Sequence, residues 1–308
     1  MTNAISSPAL PLRMGTEEWL LLLTLSVLWG ASYLFIKVAV GEIPPLVLVL
    51  ARVTLASAIL YVAVRFNGLS MKVGKSMWLA FFGMGLLNNL IPFVLIFWGQ
   101  AQIQVGLASI LNATTPLFGV IVMHVLTQDE TATPQKIIGV LAGLVGVAIL
   151  MGPDAISGLG DNLLPQLACL VAGASYACAS LFGRRFRSLP PLVTATGALT
   201  TTMLMMVPIV MLLSPPWHLP LPSAPVIWSV IGLATVSTAL AQAIFYRIMK
   251  TAGGSNVNLV TFLIPPSAIL LGAVVLNEAL LPRHFLGMAA IFLGLALIDG
   301  RMFKALKR

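Results

Sequence analysis

Charge is scarce in this sequence. Asp, Glu, Lys and Arg supply 8% of its 308 residues, where a water-soluble domain uses about a quarter, and this excludes an ordinary solvated surface. Apolar residues fill 59%. No charged residue occurs from Ser76 to Met123, and none from Ser188 to Tyr246. Each interval is long enough for two helices of about 20 residues across a hydrocarbon core of about 30 Å. Thr251 to Asn277 holds a single span, and the chain reads as an all-α integral membrane protein.

Cysteine and histidine are nearly missing. The two cysteines, Cys169 and Cys178, fall nine residues apart in one predicted helix, on opposite faces and about 13 Å apart along its axis, which excludes a disulfide between them. The three histidines are His124, His218 and His284, all expected at helix ends or in a loop. A buried serine nucleophile at Ser32 or Ser175 would therefore lack a base at its own depth. No HExxH, paired aspartates or metal-ligand cluster occurs. The expectation is a protein that is not an enzyme and needs no cofactor or metal. The N-terminal stretch "MTNAISSPALPLRMGTEEW" lacks the basic patch and cleavage site of a secretory signal, so the first apolar segment is expected to stay.

Apolar runs punctuated by Pro, Gly and charge place ten spans near 18–38, 46–64, 76–98, 102–124, 135–151, 163–183, 191–213, 225–247, 254–276 and 283–299. Of 17 Lys and Arg residues, one side of these spans receives fourteen: Arg13, Arg65, Lys72, Lys75, Lys136, Arg184, Arg185, Arg187, Arg247, Lys250, Arg301, Lys304, Lys307 and Arg308. The other side has Lys37 and Arg283, with Arg52 left inside a helix. Cytoplasmic loops collect basic residues, so both termini are expected in the cytoplasm of a cell (inner or plasma) membrane protein. The net charge of +8 is thus a topological signal, with no nucleic-acid partner implied.

The chain repeats itself. "GASYLFIKVAVGEIPPLV" from Gly30 is echoed by "GASYACASLFGRRFRSLPPLV" from Gly173. Phe97-Trp98 and Phe245-Tyr246, Gly106 and Gly254, Glu130 and Glu278, Pro134 and Pro282, Gly139 and Gly287, and Gly146 and Gly294 keep one offset of 148 residues. Each repeat holds five helices. An odd number sends the second copy into the membrane from the opposite side, which gives ten transmembrane helices as two inverted five-helix repeats. The units are a cytoplasmic tail at 1–17, repeats at 18–152 and 153–299, and a basic tail at 300–308. Transporters use inverted repeats to exchange inward-open and outward-open arrangements around a midplane site.

"PPLVLVLARVTLASAIL", then "GLASILNATTPLFGVIVMHVLTQDETATPQKIIGVLAGLVGVAILM", and in the second half "GGSNVNLVTFLIPPSAILLGAVVLNEALLPRHFLGMAAIFLGLAL" resemble the EamA family of the drug/metabolite transporter superfamily, from about Trp19 to Asp299. Gln128-Asp129-Glu130 departs from the Leu-Gly-Glu more usual there. The resemblance implies ten helices around a central cavity and export of amino acids or related amphipathic metabolites. A passive solute channel and a multidrug efflux carrier are the alternatives. The partners expected are a small-molecule substrate and the lipid bilayer, with the chain a monomer or homodimer.

Candidate substrate-binding residues are Trp29, Tyr33, Arg52, Asn88, Asn89, Asn112, Tyr176, Thr238, Gln242 and Asn258. Ser26, Trp29, Tyr33 and Lys37 share one helix face, as do Thr235, Thr238, Gln242 and Tyr246. Lipid cannot hydrogen-bond such stripes, so they face protein or a wet cavity. Hydrogen bonding between helices without a ligand is the competing explanation. Three roles are open to Arg52: pairing with a substrate carboxylate, snorkelling outward, or holding neighbouring carbonyls, as the Arg common here in the family suggests. Trp19, Trp98 and Tyr246 are expected in the interfacial belt. Gly139, Gly143, Gly146, Gly287 and Gly294 are expected at a close helix contact, and Glu130 and Glu278 to order or gate helix ends. All nine acidic residues are expected in loops or at helix ends, so transport is expected to be facilitative.

Overall fold

The computed structural model describes residues 14–100, 102–103, 105–128, 132–156, 159–276 and 279–299. Among these residues the chain is helical throughout, without strands, and its helices form ten successive rods. In chain order they are α1 (Thr16–Ala39), α2 (Pro45–Phe66), α3 (Lys75–Gly85, Leu86–Leu90 and Ile91–Gln100), α4 (Val105–Asn112 and Thr115–Leu126) and α5 (Pro134–Met151). There follow α6 (Leu163–Phe182), α7 (Pro191–Leu213), α8 (Ala224–Ala234, Thr235–Leu240 and Ala241–Ala252), α9 (Gly254–Val257 and Val260–Leu276) and α10 (Pro282–Asp299). Eight rods carry stretches long and apolar enough to cross a bilayer; 110–126 in α4 and 282–298 in α10 are shorter apolar helices. Proline opens α2, α5, α7 and α10, where its missing N–H is no loss and its fixed φ favours the first turn.

The rods pack in matched pairs. The contacts of α1 with α9 and α8 have counterparts in those of α6 with α4 and α3, and the contact of α2 with α8 has one in that of α7 with α3. Pairs α2–α7 and α5–α10 join a helix to its own counterpart. In the α5–α10 pair a Cβ at Gly139 would lie 2.7 Å from the Gly294 carbonyl oxygen, and one at Gly287 would lie 2.7 Å from that of Gly146. These contacts are mates under the 148-residue offset, and their order shows that the two helices run antiparallel. They make α5 and α10 a two-fold seam between the repeats.

The same symmetry fixes the register of α1 against α6. The Phe35 ring lies where a Cβ of Gly232 on α8 would be, 2.8 Å off, and the Phe182 ring lies 2.9 Å from a Cβ at Gly83 on α3. Phe35 and Phe182 are therefore mates at an offset of 147, about one turn away from the register in which the two GASY stretches match. In the structural register Trp29 matches Tyr176.

Two irregularities are duplicated as well. Alpha-helical hydrogen bonding widens to π-helical at Leu86–Leu90 in α3 and at Thr235–Leu240 in α8. In α3, Pro92 cannot donate to the Asn88 carbonyl and its ring crowds it. In α8 the Thr238 hydroxyl enters the ladder instead, donating to the Leu233 carbonyl at 2.7 Å. The chain also breaks after Asn112 in α4 and at Asn258 in α9. At each break a threonine three residues on donates its hydroxyl back to the asparagine carbonyl: Thr115 to Asn112 at 2.7 Å and Thr261 to Asn258 at 2.9 Å.

The glycine seam yields the first prediction. In Gly294→Val, side-chain atoms would overlap the backbone of Gly139 and Gly143, whose atoms stand 2.6 and 2.7 Å from a Cβ. The expected cost is about 1–3 kcal/mol, read as a lower melting temperature in detergent. Gly74→Ala, with nothing within 4 Å, should stay within about 0.5 kcal/mol of wild type.

Candidate functional site

A cavity of ≈ 160 Å³, measured for the centre of a water-sized sphere, lies between α1, α8 and α9 on one side and α3, α4 and α6 on the other. That is far above the roughly 10–15 Å³ one water needs. Its walls are Trp29, Ser32 and Ile36 of α1; Asn88, Phe93 and Ile96 of α3; Ala108, Asn112 and Thr115 of α4; Tyr176 of α6; Gln242 and Phe245 of α8; and Asn258, Val260, Thr261 and Ile264 of α9, with Arg52 entering from α2. The duplicated irregularities explain why polar groups collect here. A widened or broken turn rotates side chains out of the regular helical stripe, and Asn88, Asn112, Thr115, Asn258 and Thr261 all sit at or beside one.

Seven of the ten candidates from the sequence therefore stand together on the wall: Trp29, Arg52, Asn88, Asn112, Tyr176, Gln242 and Asn258. Asn89 and Thr238 lie behind it. Gln242 donates from Nε2 to Asn89 Oδ1 at 3.2 Å, and Asn89 Nδ2 donates to Thr202 Oγ1 on α7 at 3.0 Å. Thr238 Oγ1 accepts from Arg52 Nε at 3.3 Å. The Tyr33 side chain lies outside the described residues, as do Glu130 and Glu278.

The polar stripes divide between the two roles open to them. Ser26 bonds Ser267 of α9 at 2.9 Å, and Thr235 bonds the Ile231 carbonyl at 2.8 Å. Trp29 and Gln242, on the same stripes, reach the cavity. Tyr246, expected in the interfacial belt, is instead buried at 3% exposure and packs edge-on to Phe245, because α8 continues to Ala252 and leaves it well inside. Trp98 is exposed on the surface, and the two cysteines are unpaired. Phe93, Thr115, Thr261 and Ala108 were not singled out in the sequence, and Ser32 only as a nucleophile that would lack a base. The Asn-x-x-Thr spacing at both breaks was the available signal for the two threonines; Phe93 and Ala108 carry none.

Arg52 is the charged residue of the wall. It is 8% exposed, and its guanidinium carbon stands 4.8 Å from the centre of the Phe93 ring. Three other wall residues carry buried polar atoms without a hydrogen-bond partner: Asn112 Oδ1, Gln242 Oε1 and Asn258 Nδ2. Buried polar atoms are nearly always paired, so three unpaired amide atoms on residues of one cavity wall leave this layer with unused hydrogen-bonding capacity.

The two ends of the cavity differ. At the end nearest the C-terminus of α8, the short first piece of α9 packs on α4 and α6, and Ser180 of α6 donates to Asn258 Oδ1 at 2.8 Å. Gly119 of α4 permits that approach, since a Cβ there would meet Asn258 Nδ2 at 2.9 Å. Arg247 of α8 pairs with Glu17 of α1 at the same end. The counterpart of α9's first piece is Val105–Asn112 of α4, which among the described residues makes no comparable contact with α1 or α9. The lining residues continue on that side to Ile36, Ile96 and Ala108. Beyond them Glu42 accepts from the Ser223 backbone N–H and hydroxyl, each at 2.7 Å, and these bonds hold its carboxyl below the usual range.

Comparison with known proteins agrees with this architecture. The profile of the EamA-like transporter family matches residues 18–152 and again 163–299. The chain belongs to the EamA-like transporter family. It is a multi-pass membrane transporter and not an enzyme. This EamA protein is 25% identical to a probable amino-acid metabolite efflux pump of Escherichia coli (strain K12), over 92% of this chain and 94% of that one. It is 22% identical to an uncharacterized transporter of Bacillus subtilis (strain 168), YoaV, over 89% and 94%. It is 24% identical to protein PecM of Dickeya dadantii (strain 3937), over 88% of each chain. One solved crystal structure superposes with a TM-score of 0.80 at 21% identity, over 96% of this chain and 100% of that one, which shows that the two share a fold.

The wall and the layer behind it should respond differently to mutation. Asn89→Leu strands the Gln242 Nε2 group, while Thr202 keeps its bond to the Ala198 carbonyl, and is expected to lower stability by about 1–2 kcal/mol. Asn112→Leu removes a side chain whose oxygen is already unpartnered and should leave stability unchanged or raised. Thermal melts of both variants in detergent check the contrast.

Proposed function

We propose that this EamA transporter exports small metabolites, amino acids or related amphipathic compounds, by alternating access between two inverted five-helix repeats that span the membrane ten times. Rods α3, α4 and α6 form one bundle and α1, α8 and α9 its two-fold mate, with the cavity between them. Both termini are cytoplasmic in this reading, which the Lys and Arg distribution supports, and the membrane is the inner or plasma membrane. The conformation described is outward-facing, closed toward the cytoplasm. The observation that carries the reading is the unequal packing of mates. The first piece of α9 closes on α4 and α6, while the equivalent piece of α4 leaves its contact unmade. Exchanging the two arrangements would close the outer end and open the inner one at little cost, because the repeats are built alike.

The relative named as a probable amino-acid metabolite efflux pump supports the cargo class. The driving force is the cargo's own gradient. Among the described residues the acidic ones, Glu17, Glu18, Glu42, Asp154, Asp161 and Asp299, fall outside the middle of the rods, so none of these carboxylates stands at midplane to carry a proton or sodium ion. Counterflow tests both claims. Proteoliposomes preloaded with a mixture of unlabelled amino acids should accumulate labelled leucine transiently, and a pH gradient of either sign should add nothing. Uptake unaffected by preloading would indicate a channel, and accumulation abolished by a protonophore would indicate proton coupling.

A further inference from the structure

Arg52 carries a positive charge inside the bundle, where among the described residues no carboxylate pairs with it. An unpaired buried guanidinium costs several kcal/mol, so its retention needs a reason. Snorkelling does not supply one, because the side chain is 92% buried and its Nε donates sideways to Thr238 on α8. Holding carbonyls does not either: among the described residues no backbone oxygen accepts from it, and Thr238 is its one hydrogen-bond partner. The Thr238 hydroxyl hydrogen goes to the Leu233 carbonyl, which leaves the oxygen's lone pairs toward Arg52. Phe93 covers one face of the guanidinium. One edge is pinned and one face covered, and among the described residues the two Nη groups have no protein acceptor, while the residue lines the cavity.

We infer that the cavity selects its cargo by charge, receiving a carboxylate on the Arg52 Nη groups and excluding compounds of net positive charge. The inference rests on the cavity being the cargo site. A planar guanidinium matches a carboxylate with two parallel hydrogen bonds, while the surrounding low dielectric magnifies its repulsion of a cation. A zwitterion is admitted because its ammonium can donate to Asn112 Oδ1 and Gln242 Oε1, the unpartnered acceptors of the same wall. An amine without a carboxylate meets the same acceptors and the unrelieved charge of Arg52. Thr238 is a positioning residue: it touches the guanidinium and not the cargo.

Charge selection can be read without transport, which separates this inference from the alternating-access reading. In purified full-length protein with Cys169→Ala and Cys178→Ala, Ser32→Cys puts a thiol on the cavity wall. Labelling rates with an anionic sulfonatoethyl and a cationic trimethylammonioethyl thiosulfonate are divided by their rates with a free thiol. The anionic reagent should be favoured at least about 10-fold, with the preference kept in Arg52→Lys and lost in Arg52→Gln. Thr238→Val should reduce it only partly, since the charge remains. In the same assay 4-methylpentanoate should slow labelling and 3-methylbutylamine, of equal chain length without the carboxylate, should not. A ratio near one or favouring the cation in the Arg52 protein, equal protection by the two compounds, or protection by neither overturns the inference. Should Arg52→Gln fail to fold, the wild-type ratio and the Arg52→Lys comparison still decide it.

Discussion

Everything in this protein follows from the absence of water around its backbone. In hydrocarbon each peptide group must be satisfied within the chain, which dictates helices and makes any departure from helical bonding costly. The departures turn their polar residues toward neighbouring helices and not outward, and each is met by a side-chain hydroxyl. Thr115 and Thr261 bond back to the asparagine carbonyls at the breaks, Thr238 fills the opened ladder of α8, and Ser175 donates to the Leu87 carbonyl within the π turn of α3 at 2.7 Å. At the two breaks the repairing threonines stand at matching places in both repeats, whereas the two π turns use hydroxyls from different elements. They hold the irregular turns open and so turn amide side chains into the space between the bundles.

That space is polar but not acidic, and its polarity is mostly uncharged. Amides at Asn88, Asn112, Gln242 and Asn258 donate and accept without ionising, while Trp29, Phe245 and Ile264 give the wall apolar area. Arg52 is the exception. The α5–α10 seam, by contrast, carries no polar side chain at its crossing. Its glycines bring backbone against backbone, which gives a close, rigid contact away from the cavity, while α2 and α7 cross near the layer that holds Arg52 and Asn89. Two self-paired crossings join two matched bundles built from one sequence pattern written twice.

Much of this was legible in the sequence. Ten apolar runs, the 148-residue offset and the glycine positions follow from composition and spacing, because the bilayer enforces length and because a Cβ at Gly139 or Gly294 cannot fit. Seven of the ten candidate residues reach one wall because an amide or indole deep in an apolar run has few other places to go. What spacing could not show was depth. Asn89 and Asn88 are neighbours, yet a π turn sends one behind the wall and the other onto it. Likewise the repeated GASY tetrapeptide suggested a register one turn away from that set by Phe35 and Phe182, since a four-residue match carries no information about which glycine each ring must meet. Phe93 and Ala108 were invisible for a simpler reason: apolar residues on a cavity look like apolar residues facing lipid.

The central claim is that the two bundles exchange the arrangements of their ends. Spin labels at Val40 and Gln102 report the distance between bundles at the outer end, and labels at Leu126 and Thr251 report it at the inner end; all four positions are exposed. Double electron–electron resonance on the two pairs, in liposomes with and without an amino-acid mixture, measures both directly. The account predicts two populations in each pair, with shortening of the outer distance matched by lengthening of the inner one. A single unchanged distance at both ends, in protein that carries out counterflow, would contradict it.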